Sequence, residues 1–94
     1  MLVTTINVVD DYVAPEPVWR IQAFDASAKK DGWVRLRGLT ALDGWSWEDE
    51  ERYATAFRHR EDASAFAEHL SGISFRYTLA VGLSRAFTSA NDVR

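Results

Sequence analysis

Only one stretch of this chain carries the period of a helix, while several others alternate as strands do, and that imbalance limits the fold to one helix laid on a sheet. In REDASAFAEHL, Ala63, Phe66, Ala67 and Leu70 fall at i, i+3, i+4 and i+7 and form one apolar stripe. Glu61 and Asp62 complement the positive end of the helix dipole, and Gly72 supplies the stop.

The alternating stretches fall on both sides of that helix. VWRIQAF (18–24) puts Trp19, Ile21 and Ala23 on one side with Arg20 and Gln22 on the other, and WVRLRGL (33–39) alternates Val34 and Leu36 with Trp33, Arg35 and Arg37. The intervening DASAKKDG (25–32) is dense in turn formers, ends in Asp31-Gly32 and predicts a hairpin between the two strands. RYATAFRH (52–59) alternates and runs straight into the helix, and ISFRYTLAV (73–81) places Ile73, Phe75, Tyr77, Leu79 and Val81 on one face. LVTTINVV (2–9) has strand composition, but Pro15 and Pro17 in APEP separate it from the rest. Residues 1–17 are therefore expected to be an edge strand or arm and residues 18–94 a single α+β domain. The tail after Gly82 loses its pattern and predicts a frayed extension.

Ninety-four residues support only one core. The expected architecture is a single antiparallel sheet of four to five strands with one amphipathic helix packed on one face. One helix covers one face, so the other is left to solvent or to a partner.

The absence of cysteine excludes disulfides and thiolate chemistry and fits a reducing compartment. No basic leader or long apolar run marks export or membrane insertion, so a cytoplasmic location is expected. A net charge of −3 excludes a generally basic nucleic-acid binder but leaves room for local patches, and among the eleven basic residues only Lys29 and Lys30 are lysine. His59 and His69 stand ten residues apart without a thiol or an EXXH-type partner, so neither a metal nor a cofactor is expected. With no P-loop, GxGxxG or G-x-S-x-G either, the chain reads as a binding protein and not an enzyme.

Two surfaces compete for that role. In TALDGWSWEDEE (40–51), read as a loop with one helical turn capped by Ser46 and Asp49, the residues Asp43, Trp45, Trp47, Glu48, Asp49, Glu50 and Glu51 combine interface-favoured tryptophan with acids suited to a basic groove. The bland reading turns the tryptophans into the core and leaves the acids as a solvated loop. The second surface is an arginine face, where alternation gathers Arg20, Arg35, Arg37, Arg58 and Arg76 with Trp33, Gln22 and Thr78. Guanidinium groups bind phosphates and carboxylates bidentately, although long polar side chains also cover ordinary solvated sheets.

The segment RYATAFRHREDASAFAEHL resembles a pattern of short bacterial and phage proteins, a strand ending in Phe followed by a basic residue, an acidic pair and an Ala/Phe-rich helix. Small acidic α+β chains with aromatic-acid loops are similar to anti-CRISPR and other phage-encoded inhibitors. That resemblance implies stoichiometric inhibition of a nucleic-acid-binding defence complex, with Asp43, Glu48, Asp49, Glu50 and Glu51 standing where the partner expects phosphate. The alternatives are a nucleic-acid-binding module using the arginine face, and a homodimer in which residues 2–9 extend a neighbour's sheet.

Overall fold

A computed structural model of the chain describes residues 12–13, 17–72, 76–89 and 92–94. It contains strands β1 (Tyr12–Val13), β2 (Val18–Asp25), β3 (Lys30–Leu36), β4 (Trp45–Glu48), β5 (Tyr77–Ser84) and β6 (Thr88–Ser89), and one helix, α1 (Arg60–Ser71). Four strands form an antiparallel sheet in the order β4-β3-β2-β5, and β1 pairs with β6 apart from it. The α+β architecture with one helix on one sheet is the one the sequence predicts. The expected strand over residues 2–9 and the positions Ile73 and Phe75 lie outside the described residues.

α1 forms where the periodic stripe lies. Ala63, Ala67 and Leu70 are buried and Phe66 packs beside them, with its ring 5.6 Å from that of Phe57. The stripe closes on Ile21, Ala23, Val34 and Leu36 of the central strands, and Leu79 and Val81 of β5 complete the layer. Burying each such branched side chain contributes roughly 1.5–3 kcal/mol, so this face is the main source of stability.

The helix lies over β2 and β5, and aromatic rings take its place on the β3–β4 side. Ala23 and Gly32 are direct neighbours in the ladder and leave a trough between the strands. A Cβ on Gly32 would collide with the Trp47 indole. Across that trough the ring of Tyr77, from one edge strand, meets those of Trp45 at 5.1 Å and Trp47 at 6.1 Å, from the other edge.

Local sequence signals were overridden in two places, whereas the β2–β3 hairpin turns at Ala26–Lys29, inside the turn-rich DASAKKDG, with Asp31-Gly32 already in β3 opposite Phe24 and Ala23. Asp25 decides this: its Oδ1 accepts the Ser27 and Ala28 amides at 2.9 and 3.1 Å, closing a side-chain turn earlier than the Asp-Gly pair would. Residues 45–48, expected in a loop, form edge strand β4, because Trp45 and Trp47 alternate inward against Leu36 and Val34. The helical turns fall on either side, at Ala41–Asp43 and Glu51–Tyr53, and not behind Ser46.

The second override concerns the tail and residues 52–59, which were expected as a strand but form a helical turn at Glu51–Tyr53 followed by isolated bridges at Ala56 and Phe57. β2 pairs with β3 only over Gln22–Asp25; near its start it pairs with Phe57 instead, through Trp19 N–H to Phe57 O and Phe57 N–H to Trp19 O, both 2.8 Å. Ala56 in turn pairs in parallel with Val93, and the Arg94 amide donates to Ala56 O at 2.8 Å. The chain end at 92–94 is thus built into the structure and is not a frayed extension.

Candidate functional site

Alternation assigns Arg20 to the sheet face away from the helix, and that much holds, but the residue is fully buried there. The turn at 51–54 and the segment 84–88 cover the start of β2, and Arg20 joins them. Its guanidinium donates to Ser84 Oγ at 2.6 Å, Thr88 Oγ1 at 2.7 Å, Phe87 O at 3.3 Å and Ala54 O at 3.4 Å. The Ser84 hydroxyl then donates to the Glu51 carboxylate. Burial pushes the Arg20 pKa down, while the carboxylates of Glu51 and Asp92 oppose that shift. Arg20 is a structural tie and does not present charge to a partner.

The other arginines of the expected face also disperse. Arg76 forms a two-pronged contact with Asp25, Nε to Oδ1 at 3.0 Å and Nη2 to Oδ2 at 2.9 Å. That hydrogen bonding, helped by the Ser27 and Ala28 amides, holds the Asp25 carboxyl down at about 2. Arg37 lines a groove of about 290 Å³ with Trp45, Trp47 and Leu70. Arg58 lies beside the chain end, its amide bonded to Arg94 O at 2.8 Å. Arg35 remains exposed on the open face, two positions from half-buried Trp33.

In the acidic stretch the tryptophans turn inward while Asp43, Asp49 and Glu50 stay exposed. Trp45 and Trp47 pack against the core instead of facing outward. Asp49 accepts the Trp47 indole N–H at 2.8 Å and lies 3.6 Å from Lys30, and these two contacts lower its pKa. Glu50 faces Arg52 at 3.6 Å, Glu51 turns in to Ser84, and Glu48 sits opposite Trp33 on β4. Asp43 accepts the Thr40 amide at 3.0 Å and its hydroxyl at 3.1 Å, which depresses its pKa and braces the loop from Gly38 to Gly44.

That braced loop carries the features the sequence reading passed over. Leu39 is 85% exposed and Leu42 95% exposed, at the apex of a turn closed by Arg37 N–H to Gly44 O at 3.1 Å and anchored by Arg94 Nη2 to Gly38 O at 2.6 Å. Gly44 has φ +83°, which favours glycine, and a Cβ on Gly38 would collide with the Asp43 carboxylate. Comparison of the chain with protein-family models, curated proteins and solved structures returns no match.

Beside the loop, Arg35, Arg52 and Arg94 line a cleft of about 170 Å³ with Tyr53 and Asp92. Arg52 and Arg94 were not among the expected site residues, because nothing in the local pattern at 52 or 94 points to position 35. The two apical leucines had a visible signal: an apolar pair between two glycines in a turn-rich segment. Among the described residues, no three His, Asp or Glu side chains come together as a metal site needs, and no helix is long and apolar enough to cross a membrane.

Proposed function

We propose that the chain is a non-catalytic binding protein that covers a surface of a macromolecular partner and inserts the Leu39–Leu42 apex into it. The observation that carries this reading is the near-complete exposure of two leucines on a loop held by its own hydrogen bonds. A floppy loop would lose conformational freedom on docking, whereas a braced one pays little, and covering each leucine contributes about 1.5–3 kcal/mol. Asp43, braced within the same loop, supplies a polar rim next to the apolar anchor.

In the more specific form of this reading, the partner is a nucleic-acid-binding complex and the protein is its inhibitor. Asp43 shares the loop with the leucines, and the exposed carboxylates of Asp49 and Glu50 follow β4 as further acids for a basic surface. The test is a pull-down from the native host with the wild-type chain and the Leu39→Ser/Leu42→Ser variant. A specifically captured protein complex that the variant no longer retains, although it folds normally, is the expected result. Equal capture by both chains would remove the apex from the contact.

A further inference from the structure

Arg35, Arg52 and Arg94, from distant parts of the chain, line one small cleft. We propose that this cleft binds the phosphate of a nucleotide, with the base stacked on Tyr53.

Each arginine is held in place. Arg35 Nη1 reaches Tyr53 O at 3.5 Å, Arg52 lies over the Tyr53 ring at 4.8 Å, and Arg94 is tied to Gly38 O at 2.6 Å. The Arg94 backbone is also fixed through Ala56 O and the Arg58 amide. Fixed guanidinium groups lose little freedom on binding, and each still has donors to spare beyond the bond it makes. Among the described residues, Arg52 pairs with Glu50 at 3.6 Å, while Arg35 and Arg94 form no ion pair, although the charge of Arg94 acts on Asp43.

Asp92 is the one acid lining the cleft, and its charge also acts on buried Arg20 behind it. The lining is therefore net positive. A single carboxylate has two oxygens, which one guanidinium fork satisfies, whereas a phosphate monoester offers three terminal oxygens and about two charges to three forks. Tyr53 selects further. Tyr53 is 44% exposed at the rim, and an exposed aromatic ring is a platform on which any base can stack.

The monoester would be either a free mononucleotide or the terminal phosphate of a single-stranded nucleic acid, and titration of the full chain at low salt separates the two. The probes are inorganic phosphate, adenosine monophosphate and a short 5′-phosphorylated single-stranded oligonucleotide. The expected order has the mononucleotide about tenfold or more tighter than phosphate, with Tyr53→Ala removing that advantage. Arg35→Gln/Arg52→Gln should weaken every probe by about tenfold or more while leaving the far-ultraviolet circular dichroism unchanged. If the oligonucleotide binds tighter than the mononucleotide, with a steep salt dependence, the source is a strand; equal affinities identify a free nucleotide. No binding of any probe, binding untouched by the double arginine substitution, or a mononucleotide no tighter than phosphate would each overturn the proposal. The leucine apex plays no part in these measurements, so their outcome is independent of the pull-down.

Discussion

The Arg20 guanidinium donates to the Ser84 hydroxyl at 2.6 Å, across 64 residues of sequence, and so joins the start of the central strand β2 to the end of its neighbour β5. The same group holds Thr88 and Ala54, which makes one arginine the centre of a small polar core on the sheet face opposite the helix.

Removing that centre should be costly. Arg20→Ala leaves the hydroxyls of Ser84 and Thr88 and the Glu51 carboxylate without their cation, and loss of one member of a buried charged network costs about 3–5 kcal/mol. For a domain whose net stability is about 5–15 kcal/mol, this brings the chain close to unfolding. Ser84→Ala should cost less, about 1–3 kcal/mol. Urea denaturation of both variants measures the order, and an Arg20→Ala midpoint equal to that of the wild type would contradict the tie.

The Asp25–Arg76 pair should set part of the acid stability. The Asp25 pKa is lowered to about 2 from 3.8 in the folded state, so its contribution is complete above about pH 3.8. The contribution shrinks as the pH falls from there and is gone below about pH 2. Asp25→Asn should therefore unfold more readily than wild type at neutral pH, with the gap between the two closing as the pH drops through that window. A gap that stays constant down to pH 2 would show that the asparagine acts by another route.

Gly32→Ala should disturb the aromatic side of the sheet, because the new methyl group and the Trp47 ring claim the same space. Overpacking of this kind costs about 1–3 kcal/mol. Near-ultraviolet circular dichroism should report it as a changed tryptophan signal. Adding Trp47→Leu to the alanine variant should recover part of the loss, and additive losses would show that the two positions do not compete.

The loop substitutions should separate stability from binding. Leu39→Ser and Leu42→Ser remove side chains that make little contact, so thermal unfolding should shift by less than about 0.5 kcal/mol. Gly44→Ala strains a backbone at φ +83° and should cost about 1 kcal/mol. The serine variants are then clean probes of docking, and the alanine variant probes the brace.

Much of the fold was legible because side-chain period is a local property. The apolar stripe of α1 and the alternation of Trp19, Ile21 and Ala23, of Val34 and Leu36, and of Tyr77, Leu79 and Val81 each identified an element and its inward face. WSWE also alternates, but it is only four residues long and stands between an Asp-Gly pair and a run of acids, both of which favour loop and turn. The candidate site was far less legible. Asp43 is the one expected site residue that stands with the leucine apex, and of the three arginines in the cleft only Arg35 was expected.

The sequence by itself determined that one helix would lie on an antiparallel sheet, and which side of β2, β3 and β5 would face it, since period follows from backbone geometry alone. Only the tertiary structure decided what covers the other side. Alternation put Arg20 and Arg35 on the same face, yet residues 51–54 and 84–88 fold over Arg20 and bury it, while Arg35 stays open to join Arg52 and Arg94. Those covering segments come from far along the chain, and no local pattern records where they return.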